Sequence, residues 1–270
     1  IVTATSFSGD GSALTGIGTQ TNLGSFDNLV VAGIATFHND IGVSGTVTAP
    51  RFEGDCKRNF IVGSCAGLGV TLSNNVFYNV LIGCNAGRSI DTQCDVIAIG
   101  RCAAQCIADG IGNHVFVGQG AGQNLGRTGC GSYGNVYLGG QAGSNLVGGC
   151  SNVAIGYIAG RGTAGCVLGN CNVNIGFSAG RDMKGGSHNI NIGRLAGMSI
   201  STGNQNIFMG NSTGSKIISG ACNVAIGFVA HHMDCTGNSN VILGNYTAAC
   251  ATALSGNVYL GTNAGRCGTG

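Results

Sequence analysis

A short apolar phrase closed by glycine returns along most of this chain. It reads Asn-Val-Ala-Ile-Gly at 152–156, Asn-Val-Asn-Ile-Gly at 172–176 and Asn-Ile-Asn-Ile-Gly at 189–193, each followed after two further residues by Ala-Gly. Anchored on the closing glycine, the series runs Gly63, Gly83, Gly100, Gly118, Gly139, Gly156, Gly176, Gly193, Gly210, Gly227, Gly244 and Gly261. The gaps are 20, 17, 18, 21, 17, 20, 17, 17, 17, 17 and 17 residues. A period this regular means that each repeat is one structural unit, stacked on the next to bury a face it cannot bury alone.

Each position of the repeat suggests its own task. The residues one and three before the glycine are apolar in all twelve repeats, the pattern of a short β-strand with a buried face. Asn stands four before the glycine in ten of them: Asn59, Asn79, Asn135, Asn152, Asn172, Asn189, Asn206, Asn223, Asn240 and Asn257. Stacked at one corner, these amides can form a ladder of hydrogen bonds while supporting the turn. The closing glycines read as turn residues that allow positive φ, and Ala-Gly suits a tight corner without room for a large side chain. The whole predicts an all-β chain whose residues 56–270 form a parallel β-solenoid of twelve rungs. At about 4.8 Å per strand, the rod would be about 55–60 Å long.

The middle residue of each strand should point away from its two neighbours. It is apolar or aromatic in ten of the twelve repeats, and in the other two it is Asn174 or Asn191. With the flanking pair taken as the core, this second face needs a cover that one thin coil cannot supply. The expectation is that Phe116, Tyr137, Phe208, Ile242 and Tyr259 pack against a neighbouring chain.

Residues 1–55 differ. Val-Thr-Ala-Thr-Ser-Phe-Ser-Gly-Asp at 2–10 returns as Val-Thr-Ala-Pro-Arg-Phe-Glu-Gly-Asp at 47–55, with short alternating strands between. So little sequence buries too little surface alone. It reads as a β shaft or connector segment. The chain begins Ile-Val-Thr without Met, as expected of a piece of a longer protein.

The segment VTATSFSGDGSALTGI at 2–17 resembles segments of structural fibre proteins of tailed phages, those of cyanophages above all. The NVAIGYIAG-type rungs are similar to the head repeats of trimeric autotransporter adhesins and to repeats of phage fibres. The resemblance implies a homotrimer of parallel β-rolls in an extracellular or virion fibre, with a host-surface glycan or protein as receptor. The 17-residue base period and the 14 cysteines depart from autotransporter heads. No anchor barrel or coiled-coil stalk stands in the sequence, which favours the phage side. The expectation is thus a non-enzymatic structural fibre for host attachment. The alternatives are a bacterial surface adhesin or filament subunit, and a tailspike-like glycan hydrolase.

Composition narrows the other classes. With 52 Gly, 8% charged residues and a net charge of +2, the chain has no basic field for nucleic acid. Its mean hydropathy of +0.28 comes from scattered residues, with no apolar run of membrane-spanning length. No membrane insertion is therefore expected. The phrase GQGAGQNLG at 118–126 looks like a dinucleotide loop but lacks the helix behind it, so no cofactor is expected. A glycosidase needs paired carboxylates, and Asp91, Asp95, Asp109, Asp182 and Asp234 are widely separated, with Glu53 in the shaft. Nothing elevates one Ser for a Ser-His-Asp arrangement. Tyr78, Tyr133, Tyr157 and Tyr246 could stack on sugars or simply pack.

The cysteines have three readings. Cys106, Cys250 and Cys267 lie six after a rung glycine, Cys94 and Cys150 six before it, and Cys171 and Cys222 five before it. Stacked thiols filling the coil are the first expectation, disulfides the second. A metal site is the third and weakest, since no CxxC pair occurs. Its nearest candidate, HHMDC at 231–235, reads as an exposed loop whose two histidines diverge.

Overall fold

The chain falls into two units, Ile1–Pro50 and Arg51–Gly270. A computed structural model describes residues 59–69, 76–90, 93–107, 110–125, 132–146, 148–162, 169–233, 236–252 and 254–267, all in the second unit. The expected shaft at 1–55 and its duplicated motif lie outside the described residues.

Fourteen strands are present among the described residues. They are β1 (Phe60–Val62), β2 (Val80–Ile82), β3 (Val96–Ile99), β4 (Gly110–Gly112), β5 (His114–Val117), β6 (Ser132–Tyr133), β7 (Val136–Leu138), β8 (Val153–Ile155), β9 (Val173–Ile175), β10 (Ile190–Ile192), β11 (Ile207–Met209), β12 (Val224–Ile226), β13 (Val241–Leu243) and β14 (Val258–Leu260). Twelve form one sheet in the order β1-β2-β3-β5-β7-β8-β9-β10-β11-β12-β13-β14, and β4 pairs with β6 in a small second sheet. Every pairing is parallel and joins equivalent residues of successive repeats, as in Ile190↔Ile207, Asn191↔Phe208 and Ile192↔Met209. The protein is an all-β parallel solenoid, one strand of the main sheet per repeat. No helix occurs among the described residues, so none there is long and apolar enough to cross a membrane.

The strands are short because both ends are fixed. At the leading end, each ladder amide binds the turn above it. Asn206 Oδ1 accepts from the Asn223 backbone N–H at 3.0 Å, and Asn206 Nδ2 donates to the Gly220 carbonyl at 2.8 Å. The same pair of bonds recurs at Asn172, Asn189, Asn223 and Asn240. Two repeats lack the amide, with Val96 and His114 in its place. At the trailing end, Gly176 holds φ at +129, and an added Cβ would lie 2.7 Å from the Gly193 carbonyl oxygen in the next turn. Neither the dihedral nor the space admits a side chain. All twelve rung glycines share that backbone region, with φ between 106 and 142.

Corner residues other than glycine also take positive φ. Gln205 (57), Ser212 (57) and Ser239 (57) illustrate two recurrent corners, one just before the ladder residue and one two past the rung glycine. The backbone of these corners is bonded up the stack, as in Gly197 N–H to Thr213 O at 2.9 Å, which offsets the local strain.

The sheet faces are the reverse of the expectation. The middle residue of each strand points into the coil. Phe116, Tyr137, Phe208 and Ile242 are fully buried within their own chain, and Tyr259 is half-buried against the same core. The flanking apolar pair faces outward, and none of those residues is buried in any of the twelve strands. The assignment of the five middle side chains to a neighbouring chain is therefore corrected. The physical reason is the opposite wall of the coil. Alanines three past the rung glycine, such as Ala142, Ala159 and Ala196, meet the strand from across the turn. A third column four residues further on, including Ile107, Leu125, Leu146, Met183, Ile200 and Ile217, closes the interior.

The interior is matched residue to residue. A Cβ on Gly122, Gly143 or Gly214 would run into the ring of Phe116, Tyr137 or Phe208 in the same repeat. In two of the three repeats with alanine in the middle, the position four past the rung glycine carries a side chain. Ala98 is answered by Ala104 and Ala225 by the buried His231, whereas Ala154 meets Gly160. The His231 ring meets Phe208 edge-on at 6.3 Å. Glycine opposite the large rings is what close packing demands.

Candidate functional site

With the interior filled by the chain's own residues, whatever this protein offers a partner lies outside. The most extensive outward feature is the sheet face itself. Phe60, Val62, Ile97, Val117, Ile155, Met209, Ile226, Val241, Val258 and Leu260 are exposed there, and the remaining flanking residues are half-buried by their sheet neighbours. β-branched residues dominate because they suit a pleated surface, but nothing in the chain's described residues covers them. Two apolar rows about 7 Å apart over a length of about 55 Å make a strip on the order of 400 Å² in plan. Apolar patches of that size on a soluble protein mark contact surfaces.

A second outward feature begins one residue past the rung glycine. Tyr157 and Phe177 stack in successive turns with centroids 5.9 Å apart, and the Arg194 guanidinium lies 5.9 Å from the Phe177 ring. Further along, Phe228 and Tyr246 meet edge-on at 5.2 Å with Arg266 over Tyr246 at 5.3 Å. The four tyrosines considered for sugar stacking are all exposed, but they do not form one column. Tyr78 lies beside Phe77 at 6.3 Å, and Tyr133 sits in the small second sheet.

The polar candidates are scattered. Of the carboxylates, Asp95 and Asp182 lie among the described residues, and Asp182 is held by Arg181 at 2.8 Å. That carboxylate raises the Arg181 pKa by hydrogen bonding. Glu53, Asp91, Asp109 and Asp234 lie outside the described residues. A contact invisible in the sequence joins Ser215 Oγ to His232 Nδ1 at 2.6 Å, across two turns. Ser215 is buried, so this is a tie between rungs and no approachable nucleophile. The signal for it was the shared position of the two residues, five past their rung glycines. The two histidines of the HHMDC stretch do diverge, but His231 enters the core and the expected exposed loop holds only for the half-buried His232.

His114 is a strongly perturbed titratable side chain inside the coil. It occupies the ladder position, stacks on Phe116 at 5.1 Å, and accepts the Asn135 backbone N–H at Nδ1 over 3.2 Å. Burial lowers its pKa to about 4, with a partial offset from the Ser132 backbone.

The cysteines correct another expectation. The ten among the described residues are all exposed or half-exposed, so they do not fill the coil. They stand at outward corner positions because the inward columns already hold the middle, alanine and aliphatic residues. Cys56, Cys130, Cys166 and Cys235 lie outside the described residues. Among the described residues no group of three or more His, Cys, Asp or Glu side chains could hold a metal ion. Set against protein-family models, curated proteins and solved structures, the chain matches none.

Proposed function

We propose that this chain is a non-enzymatic structural fibre or adhesin of a phage virion, working as a homotrimeric rod in host attachment. The observation that carries the reading is the continuous outward apolar face on a coil whose interior is already full. A partner for that face must present apolar groups at the same rung spacing over the same length. A second and third copy of this chain do so by construction, and closed symmetry around a common axis would bury the strip. The resemblance of the rungs to trimeric adhesin heads and phage fibres supports three copies and a virion setting. The receptor then meets what remains outside, with the Tyr157–Phe177–Arg194 column able to stack on sugar rings.

Sedimentation of the intact chain tests the assembly. The expected species is a trimer, and the pair Ile155→Lys with Ile226→Lys, both on the exposed face, should yield monomers that keep their β circular dichroism. A wild-type chain that sediments as a monomer at micromolar concentration overturns the proposal. Release of reducing ends from host surface polysaccharide would overturn the non-enzymatic part.

A further inference from the structure

Cys250 and Cys267 each stand six residues past a rung glycine, Gly244 and Gly261, in successive turns. Backbone bonds from Ala248 N–H to Ala264 O at 2.9 Å and from Cys250 N–H to Arg266 O at 2.7 Å set the two cysteines opposite one another. Partners in adjacent parallel turns lie about 4.8 Å apart, within the Cα span of about 4.4–6.8 Å that disulfides use. The two thiols are near enough that Cys250 raises the Cys267 pKa, and both residues are exposed. Other cysteines of successive turns are offset by one residue. Cys102 N–H donates to Cys84 O and Cys171 N–H to Cys150 O, so in each pair the two cysteines are diagonal neighbours.

We propose that Cys250 and Cys267 form a disulfide staple between the turns that follow β13 and β14. With a small disulfide such as oxidised glutathione as oxidant, one cysteine thiolate attacks the glutathione S–S bond and releases one glutathione thiolate. The second cysteine thiolate then attacks the protein sulfur of the mixed disulfide and displaces the other. Two protons leave the cysteines and end on two glutathione thiols, so the protein dithiol is oxidised and the glutathione disulfide reduced. Interaction of the Cys267 thiol proton with Cys250 holds that thiol above its ordinary pKa, so the exchange quickens toward mildly alkaline pH.

A bridge between two turns ties them covalently, so local opening between them slows on oxidation and returns on reduction.

Trypsin provides the test, because it cuts between Arg266 and Cys267 and so separates the two cysteines unless they are bridged. The intact chain is treated with oxidised glutathione at mildly alkaline pH, alkylated and digested without reductant. The expected result is a peptide beginning at Cys267 linked to the peptide 217–266, lost on reduction and lost in Cys250→Ser. In that variant Cys267 should instead carry glutathione, and limited proteolysis of the last turn should no longer slow on oxidation. Cys267 recovered alkylated or glutathionylated from the wild-type chain overturns the proposal. So does a link that survives Cys250→Ser, or a cross-link between chains on a non-reducing gel.

Discussion

The stretch from Asn172 to Leu260 and the stretch from Asn79 to Ile155 share one strand pattern but secure it differently. In the first, every gap between rung glycines is 17 residues and the ladder amides run unbroken from Asn172 to Asn257. In the second, the gaps are 17, 18, 21 and 17, Val96 and His114 replace the amide, and β4 and β6 take up part of the extra chain. Around His114 the interior is aromatic. His114, Phe116 and Tyr137 form a ring stack with centroids 5.1 and 5.2 Å apart. The later stretch instead tolerates two amides in its core, Asn174 and Asn191. Directional hydrogen bonds hold one stretch and ring packing the other.

The largest expected effect comes from cutting the ladder where it is continuous. Asn206→Leu leaves the Asn223 N–H and the Gly220 carbonyl buried without partners. At about 1–3 kcal/mol for each, the loss is about 2–6 kcal/mol. His114→Leu in the other stretch orphans a single N–H, that of Asn135, and keeps much of the volume. It should cost about half as much, about 1–3 kcal/mol, from its one unsatisfied donor. Urea unfolding of both variants at one chain concentration measures the difference. Equal losses would mean that the ladder does not distinguish the two stretches.

Acid should then weaken one stretch and spare the other. The folded pKa of His114 is about 4, below the ordinary 6.5. Between those values the unfolded chain binds a proton that the folded chain refuses, so stability rises with pH through the window. It falls as the pH drops from about 6.5 to about 4, by about 3 kcal/mol in full, and levels off below. Protonation also turns Nδ1 into a donor facing the Asn135 N–H donor. His114→Asn, which restores the ladder residue, should remove this slope from the denaturation midpoint measured across the window. An unchanged slope in that variant would place the acid sensitivity elsewhere.

The period, the rung glycines and the asparagine column were legible because each is a fixed residue type at a fixed spacing. The direction of the strand faces was not. Val and Ile at the flanking positions look like a core, while the middle position, ranging from Ala98 to Tyr137 to Asn191, looks like a surface. The coil interior accepts that range because the residue across the turn compensates, with Gly143 beneath Tyr137 and His231 beside Ala225. Each aromatic middle residue, Phe116, Tyr137, Phe208 and Tyr259, has glycine six residues on, and that pairing was in the sequence and marks the true interior. The outward cysteines follow from the same reversal, since an inward column leaves them no place. The Ser215–His232 tie had only positional coincidence to announce it.

The smallest expected effects are gains, and they probe what each stretch gives up to its own kind of core. Tyr137 is fully buried with its hydroxyl unpartnered, and burial raises its pKa above the ordinary tyrosine value. Tyr137→Phe removes that oxygen and keeps the ring stack, so it should stabilise by about 1 kcal/mol. In the regular stretch, Asn191 Nδ2 donates to Asn174 Oδ1 at 2.8 Å while Asn174 Nδ2 and Asn191 Oδ1 find no partner. Asn191→Leu orphans Asn174 Oδ1, and Asn174→Leu leaves Asn191 Nδ2 only the weak Met183 Sδ acceptor at 3.6 Å. Changing both removes all four polar atoms, and Leu81 packed against Gly87 shows that the site accepts that shape. The double variant should therefore lie within about 1 kcal/mol of wild type or above it, and each single variant below it. Thermal melts of the three variants decide this. If the double variant loses as much as the two singles together, the buried amides are bound by something other than each other, and the contrast between a polar and an aromatic core would have to be redrawn.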